Sequence, residues 1–421
     1  ASLAPSEMCI RDSTRLPQPA PGEQGDFESV ARHSSQDEYT FAELLALIEE
    51  HRHDLTQLTR AKLNSMDLRP RPVHFPHVAG TEYTNPSPDF SQTLDLDEVY
   101  LDRTIRFVLR DITRGGEFAS AQGEFLVATG KDFRKFGMGS EHYAALESAL
   151  VEAIGEHIGV TKKLSDTINL GCSLLAYGAI EDEEAELPAT SAAKVLEVLH
   201  PCDAVAVVRT QVDPPLPYWS GQHVEVRTPH TPELWRALSP AIPFNEDGLV
   251  EFHVRAVGPF SRAIVEGTQV GEQWVLANPY GDLQISGEKP VVMVAGSTGL
   301  APVRAILLDL VQSEERPPKV QLFFGAQNPD ELYEWKSLVA FEEAFDWLDV
   351  YLVVQNDEPA TEEFDAFTAR GLVGEVAAEQ GAWRDAEVLI TGNPDMKQHT
   401  VEAFLRAGAN REQLRFDVPH S

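Results

Sequence analysis

The sequence predicts a multidomain chain: an all-α domain, then an antiparallel β-barrel, then an α/β domain with a parallel sheet. Three observations predict it. Apolar residues recur at helical spacing from Tyr39 to about Leu187. Short strand-like runs separated by Pro and Gly follow from about Ala193. After Lys289, buried-strand runs alternate with helical ones, the pattern of βαβ units. A chain of 421 residues accommodates this, at roughly 100–200 residues per domain.

Residues 1–36 mix Pro, Ser, Gln and charge without periodicity and read as a disordered tail. The string Met8-Cys9-Ile10-Arg11-Asp12 looks like a translated sequencing-adapter fragment, so residues 1–13 carry no weight in the fold. No basic segment followed by an apolar one marks a signal peptide.

The helical domain spans 37–187. Phe41, Leu44, Leu45, Leu47 and Ile48 share one face, and Leu55, Leu58 and Leu63 continue the pattern. A Pro-rich break runs from Pro70 to Pro88. Helical periodicity resumes at Leu94–Ile112, Phe118–Thr129, Glu141–Ile158 and Leu164–Ile180. The acidic run Glu181–Glu186 reads as a solvated linker, and Cys172, on an apolar helix, reads as core.

The barrel spans 193–288, with strands expected at Val195–Leu199, Ala204–Thr210, His223–Arg227, Leu249–Val257 and Gln273–Leu276. The α/β domain spans 289–421. Its first strand is Pro290–Ala295, followed by a glycine turn and a helix from Pro302 to about Ser313. Further strands are expected at Val320–Phe324, Val350–Val354 and Glu387–Ile390.

The formal charge of −33, with a pI near 4.7, disfavours binding to nucleic acid or anionic lipid, because both are themselves anionic. No run of about 18 apolar residues marks a membrane span. Three cysteines, Cys9, Cys172 and Cys202, are too few for a disulfide framework, and a reducing cytoplasm fits.

The strongest chemical signal is Val294-Ala295-Gly296-Ser297-Thr298-Gly299-Leu300-Ala301-Pro302. A strand feeds a glycine turn that opens a helix. Such a turn lets the backbone approach a pyrophosphate, whose charge is favoured at a helix N-terminus. Phe323-Phe324-Gly325-Ala326-Gln327 and Thr391-Gly392-Asn393-Pro394-Asp395-Met396 end two further strands, on the side where open α/β sheets bind ligands.

These motifs resemble the NAD-binding half of the ferredoxin reductase superfamily. The resemblance implies that Gly296, Thr298, Gly299 and Pro302 line the pyrophosphate and nicotinamide ribose. It places Thr391, Gly392, Pro394 and Met396 near the nicotinamide, with Thr391 where the family usually has Cys. No Arg or Lys closely follows Gly325, while Asp330 and Glu331 do, so NADH is favoured over NADPH. Trp235-Arg236-Ala237-Leu238-Ser239-Pro240-Ala241 resembles the superfamily's flavin motif. It implies FAD, with Arg236 on the phosphate, Ser239 bonded to the isoalloxazine, and Leu238 where a stacking Tyr is usual. Gly221-Gln222-His223-Val224 resembles a strand of the same domain. Gly258-Pro259-Phe260-Ser261 resembles a later loop whose Gly258 and Ser261 cradle the pyrophosphate.

A helical domain before such a pair resembles the flavohaemoglobins over residues 39–421. The best match to their globin domain is Lys131–Gly137, followed by Glu141-His142-Tyr143. The resemblance places Phe133 at the position of the proximal haem ligand, Arg60 at the distal Tyr, and Asp97 near the distal Gln. Phe75 and Tyr143 keep the types expected beside haem. Iron needs a donor atom and a phenyl ring has none, so no metal ligand is assigned. His142 reads as a surface or capping residue, and His51, His53, His74 and His77 as polar surface.

The resemblance implies an FAD-dependent NAD(P)H oxidoreductase. It would pass electrons to a small-molecule acceptor or a redox partner protein, with a haem-free globin domain. Two alternatives stay open: a haem-dependent nitric oxide dioxygenase and a non-catalytic nucleotide-binding redox sensor.

Overall fold

The computed structural model describes residues 41–66, 68, 98–109, 118, 120–232, 234–281, 283–356 and 368–417. The N-terminal tail, the Pro70–Pro88 break, Phe75 and Asp97 lie outside the described residues.

The helical region comprises α1 (Phe41–Glu50), α2 (Arg52–Ser65), α3 (Glu98–Leu109), α4 (Ser120–Asp132), α5 (His142–His157) and α6 (Lys162–Glu184). Leu55, Leu101, Ile105, Leu126, Leu146 and Ile168 form its core. Of the apolar residues read from the sequence, Leu44, Ile48, Leu55 and Leu63 are buried, whereas Leu170 and Ile180 are exposed. Helices α4 and α6 cross backbone to backbone. A Cβ at Gly130 would lie 1.9 Å from the Leu175 carbonyl oxygen, and one at Gly178 2.0 Å from that of Val127. A 3₁₀ turn, Phe133–Phe136, extends α4 and is ended by Gly137 in the left-handed conformation at φ 81°. Thr161 caps α6, its Oγ1 accepting from the Leu164 N–H at 3.2 Å.

The barrel strands are β1 (Thr190–Cys202), β2 (Val205–Val212), β3 (His223–Arg227), β4 (Arg236–Leu238), β5 (Leu249–Arg255) and β6 (Gln273–Tyr280). Their order is β4-β3-β6-β1-β2-β5, and every neighbouring pair is antiparallel. A bridge between Pro240 and Phe252, with the Ala241 N–H donating to the Glu251 carbonyl at 2.8 Å, joins the end of β4 to β5 and closes the barrel. The first strand begins at Thr190, before both the expected strand start at Val195 and the expected domain start at 193. Thr190, Ser191 and Ala192 are small or polar, so burial there leaves no apolar pattern. Helix α7 (Pro259–Gly267) crosses between β5 and β6.

The C-terminal sheet contains β7 (Val291–Gly296), β8 (Val320–Ala326), β9 (Leu348–Val354), β10 (Thr368–Arg370), β11 (Glu387–Thr391) and β12 (Leu414–Phe416). All neighbouring pairs are parallel, in the order β10-β9-β8-β7-β11-β12. Its helices are α8 (Leu300–Gln312), α9 (Trp335–Ala344), α10 (Val373–Gln380) and α11 (Pro394–Arg406). The three-residue strands β10 and β12 were not expected from the sequence. Among the described residues, no helix is long and apolar enough to cross a membrane.

Candidate functional site

Strand order reverses between β7 and β11, so the crevice of the sheet opens at their carboxyl ends. Every nicotinamide-side residue singled out in the sequence comes to this place or to the helix that leaves it. Gly296 and Gly325 pair at the ends of β7 and β8. A Cβ at Gly296 would lie 2.9 Å from Met396 Cε, and one at Gly299 2.6 Å from the Thr391 carbonyl and the Gly392 nitrogen. Any larger residue at either position would collide with the facing loop or with Met396. Thr391 Oγ1 donates to the Gly299 carbonyl at 2.7 Å, tying the two loops together. Gly392 has φ 147°, and Asn393 caps α11 by accepting from the Met396 N–H at 2.9 Å. Pro394 opens that helix, and Met396 leans back over Gly296 and Gly392. Thr298 lies half-buried in the 3₁₀ turn that leads into α8, and Pro302 is buried within that helix.

One residue of this turn was not singled out for a role. Ser297 adopts φ 52°, and its buried hydroxyl has no hydrogen-bond partner among the described residues. An orphaned polar atom at the opening of a helix fits a polar ligand.

The flavin-side residues converge on β4 and the start of α7. The Arg236 guanidinium lies over the Phe260 ring, 5.6 Å from its centroid, and Nη1 donates to the Trp235 carbonyl at 2.8 Å. Ser261 Oγ accepts from the N–H groups of Val257 and Gly258 at 3.0 and 3.1 Å, which tightens the turn. A Cβ at Gly258 would meet nothing within 4 Å, so space is open there. The first N–H groups of α7 lack intrahelical acceptors, as at any helix start. An exposed arginine, open space and a helix N-terminus together fit a phosphate. Leu238 and Ser239 are half-buried, and Leu238 pairs with Val224 of β3.

A polar network that sequence reasoning missed links the barrel to the C-terminal domain. Glu251 and His253 alternate on β5, opposite the buried Val250, Phe252 and Val254. Arg304 of α8 donates to Glu251 Oε1 at 2.9 Å and to the Ala241 carbonyl at 2.8 Å. Arg209 Nε donates to Glu251 Oε2 at 2.7 Å. His253 lies 3.1 Å from Glu251 through Nε2 and 2.8 Å from the Tyr333 hydroxyl through Nδ1. A proton on Nε2 satisfies both contacts, with the tyrosine hydroxyl donating to Nδ1. Burial raises the Glu251 pKa, but bonds from His253 and Arg209 and the charge of Arg304 outweigh it, and the value falls to about 2. Two polar residues alternating on a buried strand are the sequence signal that would have revealed this network.

The helical region meets the barrel through the segment where a haem ligand was sought. Lys135, fully buried, pairs with Asp132 at 2.6 Å and with Glu225 of β3. Asp182 accepts from Arg134 and from Asn278 of β6, both at 3.3 Å. Phe136 meets Trp235 edge to face, with centroids 6.4 Å apart. Phe133 is only 4% exposed and packs edge-on against Phe136 at 6.0 Å. Tyr143 is buried, and its hydroxyl donates to the Gly130 carbonyl at 3.3 Å. His142 is a correction in part, because it is buried and not on the surface. Its Nδ1 accepts from the Gly139 N–H at 2.7 Å, in the turn ahead of α5, whose cap residue Glu141 makes no side-chain bond to the helix. Arg60 is half-buried on α2. These residues do not fit an iron-bound haem, since the ligand position carries a ring without a donor atom.

The end of β8 also differs from its sequence reading. Glu331 is buried and ion-paired with Arg255 at 2.8 Å, while Asp330 is exposed. Arg255 comes from β5, so a search of the residues after Gly325 could not find it.

Comparison with known proteins agrees with this geometry. Residues 199–285 match the oxidoreductase FAD-binding domain model, and residues 293–402 the oxidoreductase NAD-binding domain model. The chain is 26% identical over 303 residues to the xylene/toluene monooxygenase electron transfer component XylA of Pseudomonas putida, covering 69% of this chain and 85% of that protein. It is 28% identical over 235 residues to the ferredoxin–NAD(P)(+) reductase CarAd of Metapseudomonas resinovorans, covering 54% and 68%. A flavohemoglobin structure from Malassezia yamatoensis, with bound FAD and heme, superposes with a TM-score of 0.63 at 17% identity, covering 91% of this chain and 98% of that one. At that identity the likeness is one of fold alone. The chain therefore carries a ferredoxin-reductase-type FAD/NAD-binding module behind an N-terminal helical region. It is an FAD- and NAD(P)H-dependent oxidoreductase.

Proposed function

We propose that this reductase takes electrons from NADH through FAD to a small-molecule acceptor or a redox partner protein, while its helical domain holds no haem. The observation that carries this reading is Phe133, packed into the helical core where an iron ligand would stand.

The chemistry a bound FAD would supply is acceptance of the nicotinamide hydride and onward release of electrons, and the protein binds and orients the two cofactors. Arg236, Gly258 and Ser261 hold the flavin phosphates at the start of α7. Ser239 offers a hydroxyl to the isoalloxazine, and Leu238 covers its ring by dispersion. Gly296, Gly299 and Gly392 let the nicotinamide nucleotide approach the backbone. Thr298 and Pro302 shape its pyrophosphate side, while Thr391, Pro394 and Met396 border the ring. The Glu251–Arg304 bond keeps the two domains in register. NADH is preferred because Asp330 repels a 2′-phosphate and Arg255 is already held by Glu331.

The acceptor is of the kind the relatives' names point to, a ferredoxin or the oxygenase of a monooxygenase system. Among the described residues, Cys172 and Cys202 are free, which suits a reducing cytoplasm.

An absorption spectrum of protein expressed with haem precursor and riboflavin tests the reading. Flavin bands without a Soret band are expected. A Soret band that shifts with carbon monoxide would overturn it and favour the nitric oxide dioxygenase, the reading that the whole-chain flavohemoglobin fold otherwise invites. A protein that binds NADH but reduces no acceptor would favour the redox sensor. Arg236→Ala should release FAD on purification, and unchanged flavin occupancy would displace the phosphate site.

A further inference from the structure

One end of the helical region gathers three metal-binding side chains that none of the above uses. His51 sits at the corner between α1 and α2, Asp54 lies in the first turn of α2, and His157 is the last residue of α5. One nitrogen of each imidazole and one oxygen of Asp54 all lie within 4.8 Å of one another. The two rings meet edge to face, with centroids 4.9 Å apart.

The surroundings make this more than a chance grouping of polar residues. None of the three side chains has a hydrogen bond or ion pair among the described residues. The cations nearby are committed elsewhere. Arg52 is bound to Glu49 and Asp102, and Lys62 to Glu152 and Glu156. Asp54 is thus left without a counter-ion beside two imidazoles. The backbone at His51 is anchored at both sides, its N–H donating to the Leu47 carbonyl at 2.9 Å and its carbonyl accepting from Leu55 at 3.0 Å.

We propose that His51, Asp54 and His157 bind one divalent transition-metal ion of the zinc class. Imidazole nitrogens suit zinc, copper and nickel, and two histidines with one carboxylate leave room for water in the remaining position. Ligand atoms about 2.0–2.1 Å from a tetrahedral zinc lie roughly 3.4 Å from each other. His157 and Asp54 are exposed, so rotation of their side chains closes the difference. The ion would clamp the α1–α2 corner to the end of α5. It stabilises the helical domain by mass action, because the unfolded chain does not hold the three groups together.

The test is zinc titration of the chelator-treated full chain, read by calorimetry and by thermal melting. One equivalent of Zn²⁺ and a raised Tm are expected. His157→Ala and Asp54→Asn should each weaken binding by more than the roughly 10–100-fold typical of an outer-shell change, and remove the rise in Tm. FAD content and metal-free NADH oxidation should stay at the parent level. Zinc binding of unchanged stoichiometry and affinity in both variants would place the ion elsewhere on the chain and overturn the proposal. So would a parent chain that binds no zinc.

Discussion

The reductase module and the helical domain treat a ligand position in opposite ways. At the crevice between β7 and β11 atoms have been taken away. Gly296, Gly299 and Gly392 let the loops after β7 and β11 and the Met396 side chain approach more closely than a Cβ would allow, and the buried Ser297 hydroxyl is left without a partner among the described residues beside them. In the helical domain, the position that the proposed reading compares with a haem ligand carries the buried ring of Phe133 against Phe136. The physical consequences differ. Glycines and unpaired buried hydroxyls destabilise an empty protein and are compensated when a ligand binds. A core phenyl ring stabilises the fold without any ligand. On the proposed reading, one half is built to be completed by cofactors and the other packs its core without haem.

The largest effect expected on that contrast comes from Phe133→Ala. Emptying a buried phenyl position typically costs about 3–5 kcal/mol. Denaturant melts followed by helical circular dichroism should show the loss, while flavin absorbance follows a later transition. If Phe133 instead lined an open haem cavity, its removal would cost little and the contrast would fail.

The next effect lies on the reductase side. The Glu251 pKa is lowered from 4.5 to about 2. A depressed carboxylate stabilises the fold fully above its unfolded value and loses that contribution as pH falls through its folded value. The shift corresponds to about 3 kcal/mol that fades between pH 4.5 and 2. Unfolding free energy measured against pH should fall across that window in the parent and stay flatter in Glu251→Gln. A parallel pH dependence in both proteins would remove Glu251 as the tie between the two domains.

Smaller again is Thr391→Val. It deletes the bond to the Gly299 carbonyl, which keeps its bond within α8, at a cost of about 0.5–1.5 kcal/mol. The KM for NADH should rise with it, because the same bond joins the two loops of the crevice. A lower stability with unchanged KM would show that the bond holds the fold and not the site.

Much of this was legible in the sequence because the signals were local. The helical faces of Phe41–Ile48 and Leu164–Ile180, the glycine turn after β7, and the strand ends at Gly325 and Thr391 each lie within one short segment. What stayed illegible was short or joined across distance. Strands β4, β10 and β12 have three residues each, too few to show an alternation. Glu251 meets Arg304 and Arg209, and His51 meets His157, only because the fold brings distant segments together. The burial of His142 was missed for a related reason. A histidine beside Glu141 reads as polar surface until the turn at Gly139 encloses it.

The finest test concerns the one flavin position that departs from the superfamily it resembles. Leu238 sits half-buried on β4 beside Val224, next to Ser239 and two residues after Arg236. A leucine can cover a flavin ring by dispersion alone, whereas an aromatic ring adds about 0.5–1.5 kcal/mol of stacking beyond its buried area. Leu238→Tyr should therefore tighten FAD by about 2- to 13-fold at most, read as a lower Kd in flavin fluorescence titration. Equal or weaker binding would mean that the position does not face the ring. A gain larger than stacking supplies would mean that the new hydroxyl reaches the flavin as well. Either result bears on the opening contrast, because a site kept open for a cofactor should gain from each added contact, while a filled core such as that around Phe133 should lose from each added atom.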